Sequence, residues 1–213
     1  MKKRKLDILY EDKHLIILNK NGNMPTIKCD NYKDNLYSEV FDYLHKKNQK
    51  VFVVHRLDKD TSGIVVFAKS ERVKESLQNT WDYTERNYIA VVHGITKDKD
   101  TIKSYLKETK TLYTYSTNDK SGKYAETSYV RVKSNKQYSL LKINIKTGRK
   151  NQIRVQLSNL GNPILGDKKY GSKSNPIRRM CLHAYHINFK LKNREYDFIT
   201  PYPKEFINMF KTK

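Results

Sequence analysis

The apolar residues of this chain come in short runs, as in Leu15-Ile16-Ile17-Leu18 and Ile64-Val65-Val66-Phe67-Ala68, with polar residues close on either side. A run of four or five suits a strand and falls far short of the roughly 20 residues that span a bilayer. Apolar patterning predicts strands over residues 6–10 and 14–18, joined across Glu11-Asp12-Lys13, and a second pair over 51–54 and 63–68. Further strands are predicted over 87–92, 124–132, 138–145 and 180–191. Helical spacing of Leu36, Val40, Phe41 and Leu44 marks 35–47, with Asn35 as N-cap, and that of Val73, Leu77 and Trp81 marks 70–81, with Ser70 as cap. A short helix is predicted after Gly148 over 150–160. The loosest stretches, 22–33 and 96–122, are rich in Lys, Thr, Asn, Ser and Asp and read as loops. Strands outnumber helices and neighbours are close in sequence. The fold class is therefore α+β, with a mixed, mostly antiparallel central sheet in two sub-lobes, flanking helices and a cleft. No repeat of 20–50 residues is visible, which excludes solenoids and propellers. A single domain over 1–213 is expected, long enough to bury a core.

The chain carries 43 Lys and Arg against 22 Asp and Glu, a net charge of +21. On a folded protein of this size such a field serves a polyanion, either nucleic acid or, less often, an acidic membrane surface. The 33 Lys against 10 Arg, with 18 Asn, look like codon bias in an A/T-rich genome, but bias that selects among cations does not remove acids. With 37% apolar residues and 16 Tyr, the chain is too rich in large side chains for a disordered basic tail. The start, Met1-Lys2-Lys3-Arg4-Lys5, is basic like a signal peptide, but Asp7, Glu11 and Asp12 break the apolar stretch that such a peptide needs, so a cytoplasmic protein is expected. Cys29 and Cys181 are too few for a disulfide framework or a cysteine zinc site.

Between two predicted strands lies His55-Arg56-Leu57-Asp58-Lys59-Asp60-Thr61-Ser62-Gly63. A connecting loop needs only turn formers, and Asp60, Ser62 and Gly63 would suffice. His55, Arg56 and Asp58 add a cation and a carboxylate at a strand end, where side chains can face a cleft. The same spacing is also compatible with Asp58 capping the turn and Arg56 as a solvated charge.

This nine-residue segment resembles the signature of the RluA-type RNA pseudouridine synthases, which isomerise uridine in RNA. Three other segments are similar in order and content: the stretch from Ile8-Leu9-Tyr10-Glu11-Asp12 through Asn19-Lys20; Glu85-Arg86-Asn87-Tyr88-Ile89-Ala90-Val91-Val92-His93-Gly94; and Thr147-Gly148-Arg149-Lys150-Asn151-Gln152-Ile153-Arg154-Val155-Gln156-Leu157. Gly161-Asn162-Pro163-Ile164-Leu165-Gly166-Asp167 and Leu182-His183-Ala184 come after them in the same order. Asn21 stands where relatives usually have Pro, and Asn151 where a His is common, departures that bear on loop shape and RNA contacts. No separate N-terminal RNA-binding domain is expected before residue 8, so substrate choice is expected to rest on the catalytic domain.

The resemblance implies a pseudouridine synthase fold and roles for particular residues. Asp58 is the carboxylate acting at the sugar C1′ or C2′, as a nucleophile or as a base beside an oxocarbenium-like centre. It must be ionised, and the resemblance supplies a cation at Arg154. Tyr88 stacks on the target base and serves proton transfer from C5. Arg56, with His55 beside it, fills the gap left by the flipped base. Ile153 and Leu182 wall the uracil ring. Arg149, Lys150, Lys168 and Lys169 are candidates for backbone contacts.

Each assignment has a plainer alternative: Tyr88 as one core tyrosine among 16, Arg154 as a phosphate contact or surface charge. His183 and His186 lie three apart on a predicted strand and so point to opposite faces, which argues against a metal pair. No metal and no cofactor are expected, the isomerisation being redox-neutral. The expected partner is ribosomal or transfer RNA, with no membrane, and the protein is expected to be a monomer. Two other functions fit the charge and the carboxylate: a non-catalytic RNA-binding protein of the same fold, and a glycosidic-bond hydrolase acting on nucleosides.

Overall fold

The computed structural model describes residues 5–29 and 34–211. The basic start at 1–4 and residues 30–33 of the predicted loop 22–33 lie outside the described residues. The chain divides into two compact units. The first comprises the residues through Thr84 with His186–Thr200, and the second comprises Glu85–Tyr185 with the residues from Pro201 on.

In the first unit β1 (Ile8–Glu11), β2 (Leu15–Lys20) and β4 (Ser62–Ala68) lie side by side, with the short β3 (Phe52–Val53) also pairing with β4. β1 pairs β2 and β2 pairs β4, both antiparallel, so that Leu15 faces Ala68 across the ladder and Lys20 faces Gly63. Every residue of β4 is buried, because helices cover both of its faces. On one face Ile64, Val66 and Ala68 pack with Leu15, Ile17, and with Val73 and Leu77 of α2 (Glu71–Asn79). On the other, the Tyr37 ring of α1 (Leu36–His45) lies 6.4 Å from that of Phe67. Burial on both faces explains why these strands read as unbroken apolar runs rather than as alternation. Both helices start as their caps require. The Asn35 Oδ1 accepts the Ser38 N–H at 3.0 Å and the Ser70 Oγ accepts the Val73 N–H at 3.3 Å.

The second unit contains β5 (Glu85–His93), β6 (Lys99–Glu108), β7 (Thr114–Thr117), β8 (Lys123–Ser134), β9 (Tyr138–Ile145) and α3 (Gln152–Asn159). Their order is β5-β9-β8-β6-β7, with each neighbouring pair antiparallel. Residues 182–185 of β10 (Leu182–Leu191) lie beside β5, and residues 186–191 belong to the first unit, where β11 (Arg194–Ile199) pairs with them. The core gathers Ile89, Val91, Leu140, Ile143, Leu157 and Phe206, the last from α4 (Lys204–Asn208).

The α+β class and the mostly antiparallel sheet are as expected. The stretch 96–122 is not a loop, since it carries β6 and β7. Its pattern was hidden because only Leu106 of β6 is fully buried, while Ile102 is half-buried and polar residues and Tyr105 occupy the other positions. The predicted helix over 70–81 ends at Asn79, and Trp81 begins a separate turn of 3-10 helix, Trp81–Tyr83. Neither β11 nor α4 was expected from the apolar pattern.

Asn35→Ala removes the α1 cap from a position only 1% exposed and is expected to cost about 1–2 kcal/mol, seen as a lowered urea midpoint of the full chain.

Candidate active site

The Asp58 loop belongs to the first unit and is held from beneath. Lys20, 1% exposed at the end of β2, donates from its ammonium to the carbonyls of Asn21 at 2.9 Å, Met24 at 2.7 Å and Lys59 at 3.1 Å. The Lys59 carbonyl also accepts the Met24 N–H at 3.1 Å. The Thr26 hydroxyl donates to the Leu57 carbonyl at 2.9 Å and accepts the Leu57 N–H at 3.1 Å. Two segments without regular structure are thereby tied into one body. Leu57 points inward and is buried, Arg56 before it is exposed, and Asp58 after it is half-buried. Gly63 closes the loop with φ of +119°, a conformation that a side chain would strain.

His55 is engaged inside its own unit. Its ring stacks on Trp81 at 4.7 Å with planes 30° apart, and its Nε2 accepts the Val66 N–H at 3.1 Å. An accepting Nε2 carries no proton, so the ring is fixed as the Nδ1–H tautomer. That arrangement suits a brace under the loop.

The second unit brings together three residues expected at the base. Ile153 on α3 and Leu182 on β10 are both members of its core, and half-buried Tyr88, opposite Ile143 on β5, packs against that same cluster. Next to Ile153 on α3, Arg154 is buried and fully oriented. Its Nε and Nη2 donate to the two carboxylate oxygens of Asp167 at 2.7 and 2.9 Å, and Nη1 donates to the Asn151 Oδ1 at 2.8 Å. The Tyr170 ring lies 5.0 Å from the guanidinium carbon, and the Tyr170 hydroxyl receives the Asn151 amide at 3.1 Å. A bidentate pair of this kind fixes the plane of the guanidinium as well as its position.

Asn151 has φ of +55°, in the left-handed region that Asn tolerates better than most residues, so the departure from His falls where the backbone favours Asn. Gln152 ties down the preceding turn. Its Oε1 accepts from the Thr147 hydroxyl at 2.7 Å and the Arg149 N–H at 3.0 Å, while its Nε2 donates to the Glu126 carbonyl at 3.0 Å. Arg86 fills the space beside Gly148, where a Cβ would come within 2.8 Å of its Nη1, and donates to the Lys146 carbonyl at 2.9 Å. Sequence reasoning assigned no role to Lys20, Thr26, Arg86, Gln152 or Asp167. Lys20, Arg86, Gln152 and Asp167 carried a signal there only as members of the segments that make the resemblance, and Thr26 carried none.

Arg149 and Lys150 are exposed and line a cavity of about 370 Å³ with Lys107, Lys123 and Glu108. Arg149 Nε donates to the Tyr124 carbonyl at 3.0 Å, and Lys150 pairs with Glu108. Lys169 reaches over the Tyr113 and Tyr170 rings, while Lys168 is exposed beside it. His183 is buried, and desolvation, with the nearby Arg179 charge, pushes its pKa down to about 4. His186 instead bonds Asp197 through Nε2 at 2.7 Å. Among the described residues no three His, Cys, Asp or Glu side chains converge on a metal position, and no helix is long and apolar enough to cross a membrane.

Residues 14–159 match the family model described as RNA pseudouridylate synthase. The protein named uncharacterized RNA pseudouridine synthase YhcT of Bacillus subtilis is 32% identical over 217 residues, covering 97% of this chain and 72% of its own. The ribosomal large subunit pseudouridine synthase D of Borreliella burgdorferi is 33% identical over 217 residues, covering 94% of this chain and 66% of its own. Among solved structures, human RNA pseudouridylate synthase domain containing 4 superposes with a TM-score of 0.79 at 22% identity, covering 94% of this chain and 90% of that one, a likeness of fold.

Lys20→Met leaves the Asn21 and Met24 carbonyls without their donor and the Lys59 carbonyl with only the Met24 N–H, and is expected to cost about 3 kcal/mol, with faster proteolysis inside residues 55–62 than in the wild type. For His183 the depressed folded pKa means that the unfolded chain binds a proton more readily. Its contribution is therefore complete above pH 6.5 and is lost as pH falls towards 4, by about 3 kcal/mol in all. Urea titrations across that range, repeated on His183→Gln, should show a shallower fall for the variant.

Proposed function

The chain belongs to the RNA pseudouridylate synthase family and is an RNA pseudouridine synthase, an isomerase, and we propose that its substrate is ribosomal RNA and that Asp58 is its essential carboxylate. The observation that carries this reading is the family match over 14–159, a span that includes the Asp58 loop, Tyr88 and Arg154. Relatives named ribosomal large subunit pseudouridine synthase favour ribosomal over transfer RNA.

In the proposed reaction the C1′–N1 bond of uridine breaks, the uracil turns, and C1′ bonds to C5. C5 then loses its proton and N1, freed from the sugar, gains one, so atoms balance and no redox partner is needed. Asp58 adds to C1′ or removes the C2′ proton while charge builds on the sugar. Arg154, its guanidinium plane already set by Asp167, supplies positive charge for the anionic groups of the reaction. Tyr88 stacks on the uracil and takes part in moving the C5 proton, with Ile153 and Leu182 as apolar walls. Exposed Arg56 enters the stack in place of the flipped base, at a cost of a few kcal/mol in unstacking. Arg149 and Lys150 meet the phosphate backbone, and His55 braces the loop. The enzyme so described is a cytoplasmic monomer, acting through a single catalytic domain over 1–213 and without a cofactor.

The test is release of tritium from C5-tritiated uridine in ribosomal RNA. The wild type should release it with no free uracil, and Asp58→Asn should lose about 10⁴-fold or more in rate while still binding RNA. Free uracil would indicate a hydrolase, binding without release a non-catalytic RNA-binding protein, and undiminished release by Asp58→Asn would remove the carboxylate from its role.

A further inference from the structure

Strands β6, β7 and β8 present two unlike faces. Leu106 and Ala125 point to the face that packs on Val155 of α3 and on Tyr170. The alternate positions, Lys103, Tyr105 and Lys107, share the other face with their cross-strand partners. Tyr115 stands opposite Lys107, and Thr117 and Tyr124 stand on either side of Tyr105. Tyr115 and Tyr124 are 39% and 37% exposed, and the Tyr105 and Tyr124 rings meet edge to face at 5.8 Å. Tyrosine suits a strand, and three of them interleaved with lysines form rigid aromatic surface next to positive charge.

The face carries two acids that are already engaged, Glu126 with the Tyr124 hydroxyl and Asp119 with Lys107. Lys107 also lines the 370 Å³ cavity, where Lys123, Arg149 and Lys150 add three further cations against the one carboxylate of Glu108. The other strand residues of the cavity, Glu108, Thr114 and Lys123, belong to the Leu106 face, so the tyrosine face and the basic hollow meet at Lys107, around the ends of β6 and β8, within a chain whose net charge is +21.

We propose that the Tyr105, Tyr115 and Tyr124 face is a stacking platform for unpaired bases of the substrate RNA, with the adjacent basic cavity taking the neighbouring phosphodiester. The proposal deepens the function above and rests on RNA being the substrate. Stacking on tyrosine is indifferent to base identity, because every base offers a π-face, while the requirement that the base be unpaired is strict. The platform therefore favours substrates that are single-stranded beside the target, and it acts on affinity without touching the reacting atoms.

The test uses the full chain and a fluorescently labelled single strand of about ten nucleotides, with an A-form duplex of the same length as comparator, at one fixed salt concentration. Tyr115→Ser and Tyr124→Ser are each expected to weaken single-strand binding at least about fivefold, while Tyr115→Phe stays within about twofold of the wild type. The rate of tritium release at saturating RNA should be unchanged in Tyr115→Ser, so that the loss appears in KM alone. Serine variants that bind as tightly as the wild type would overturn the platform, as would a duplex bound as tightly as the single strand. Unchanged circular dichroism of the variants separates lost stacking from lost fold. A wild type that releases no tritium yet binds the single strand through these tyrosines would uphold the platform and remove the isomerase reading instead.

Discussion

A cation taken out of water must find acceptors inside the protein, and the arrangement of this molecule depends on two that do so. Lys20 sits at 1% exposure and is met by backbone carbonyls from two irregular segments, which it holds together. Arg154 is met by both oxygens of Asp167 and by Asn151. In each case the cost of desolvation is offset by several directed hydrogen bonds, and removing one partner strands the other. Irregular chain is ordinarily the most mobile part of a protein, yet here the loop that carries Asp58 is tied by its backbone to Lys20 and Thr26.

The same scarcity of acids shapes the rest. With 22 carboxylates against 43 cations, several acids are committed to structure. Glu11 gathers Lys47, Lys69 and the Tyr43 hydroxyl, and these hydrogen bonds hold its pKa below the usual carboxylate range against the opposing effect of burial. Asp12 accepts the N–H groups of His14 and Leu15 and closes the β1–β2 turn. Much of the surplus lysine is left facing solvent, where it can replace the counterions condensed on an RNA backbone.

How much of this was legible in the sequence depends on where the information lay. Residues 15–18 and 64–68 declared their strands because burial on both faces leaves only apolar positions, and Asn35 and Ser70 declared their helices because a cap is a local contact. β6 stayed hidden because one of its faces is made of lysine and tyrosine and the other commits only Leu106 wholly to the core. The site divided in the same way. Asp58, Tyr88 and Arg154 stood in compact motifs, whereas the hydrogen bonds that hold the Asp58 loop and orient Arg154 join separate segments, Lys20 to Lys59 and Arg154 to Asp167. His55 lay in the motif as well, but its stacking on Trp81 could not be read from spacing.

The first unit is interrupted in sequence by the whole of Glu85–Tyr185. Its core joins Leu15 and Ile17 to Ile187, Phe189, Leu191 and Tyr196, partners separated by some 170 positions. During synthesis the second unit's strands β5 to β9 are all made before residues 186–200, and domains generally fold as they emerge. The Asp58 loop, though made early, therefore waits on late residues to complete the core of its unit, and until they arrive Leu15, Val66 and Leu77 lack part of their packing.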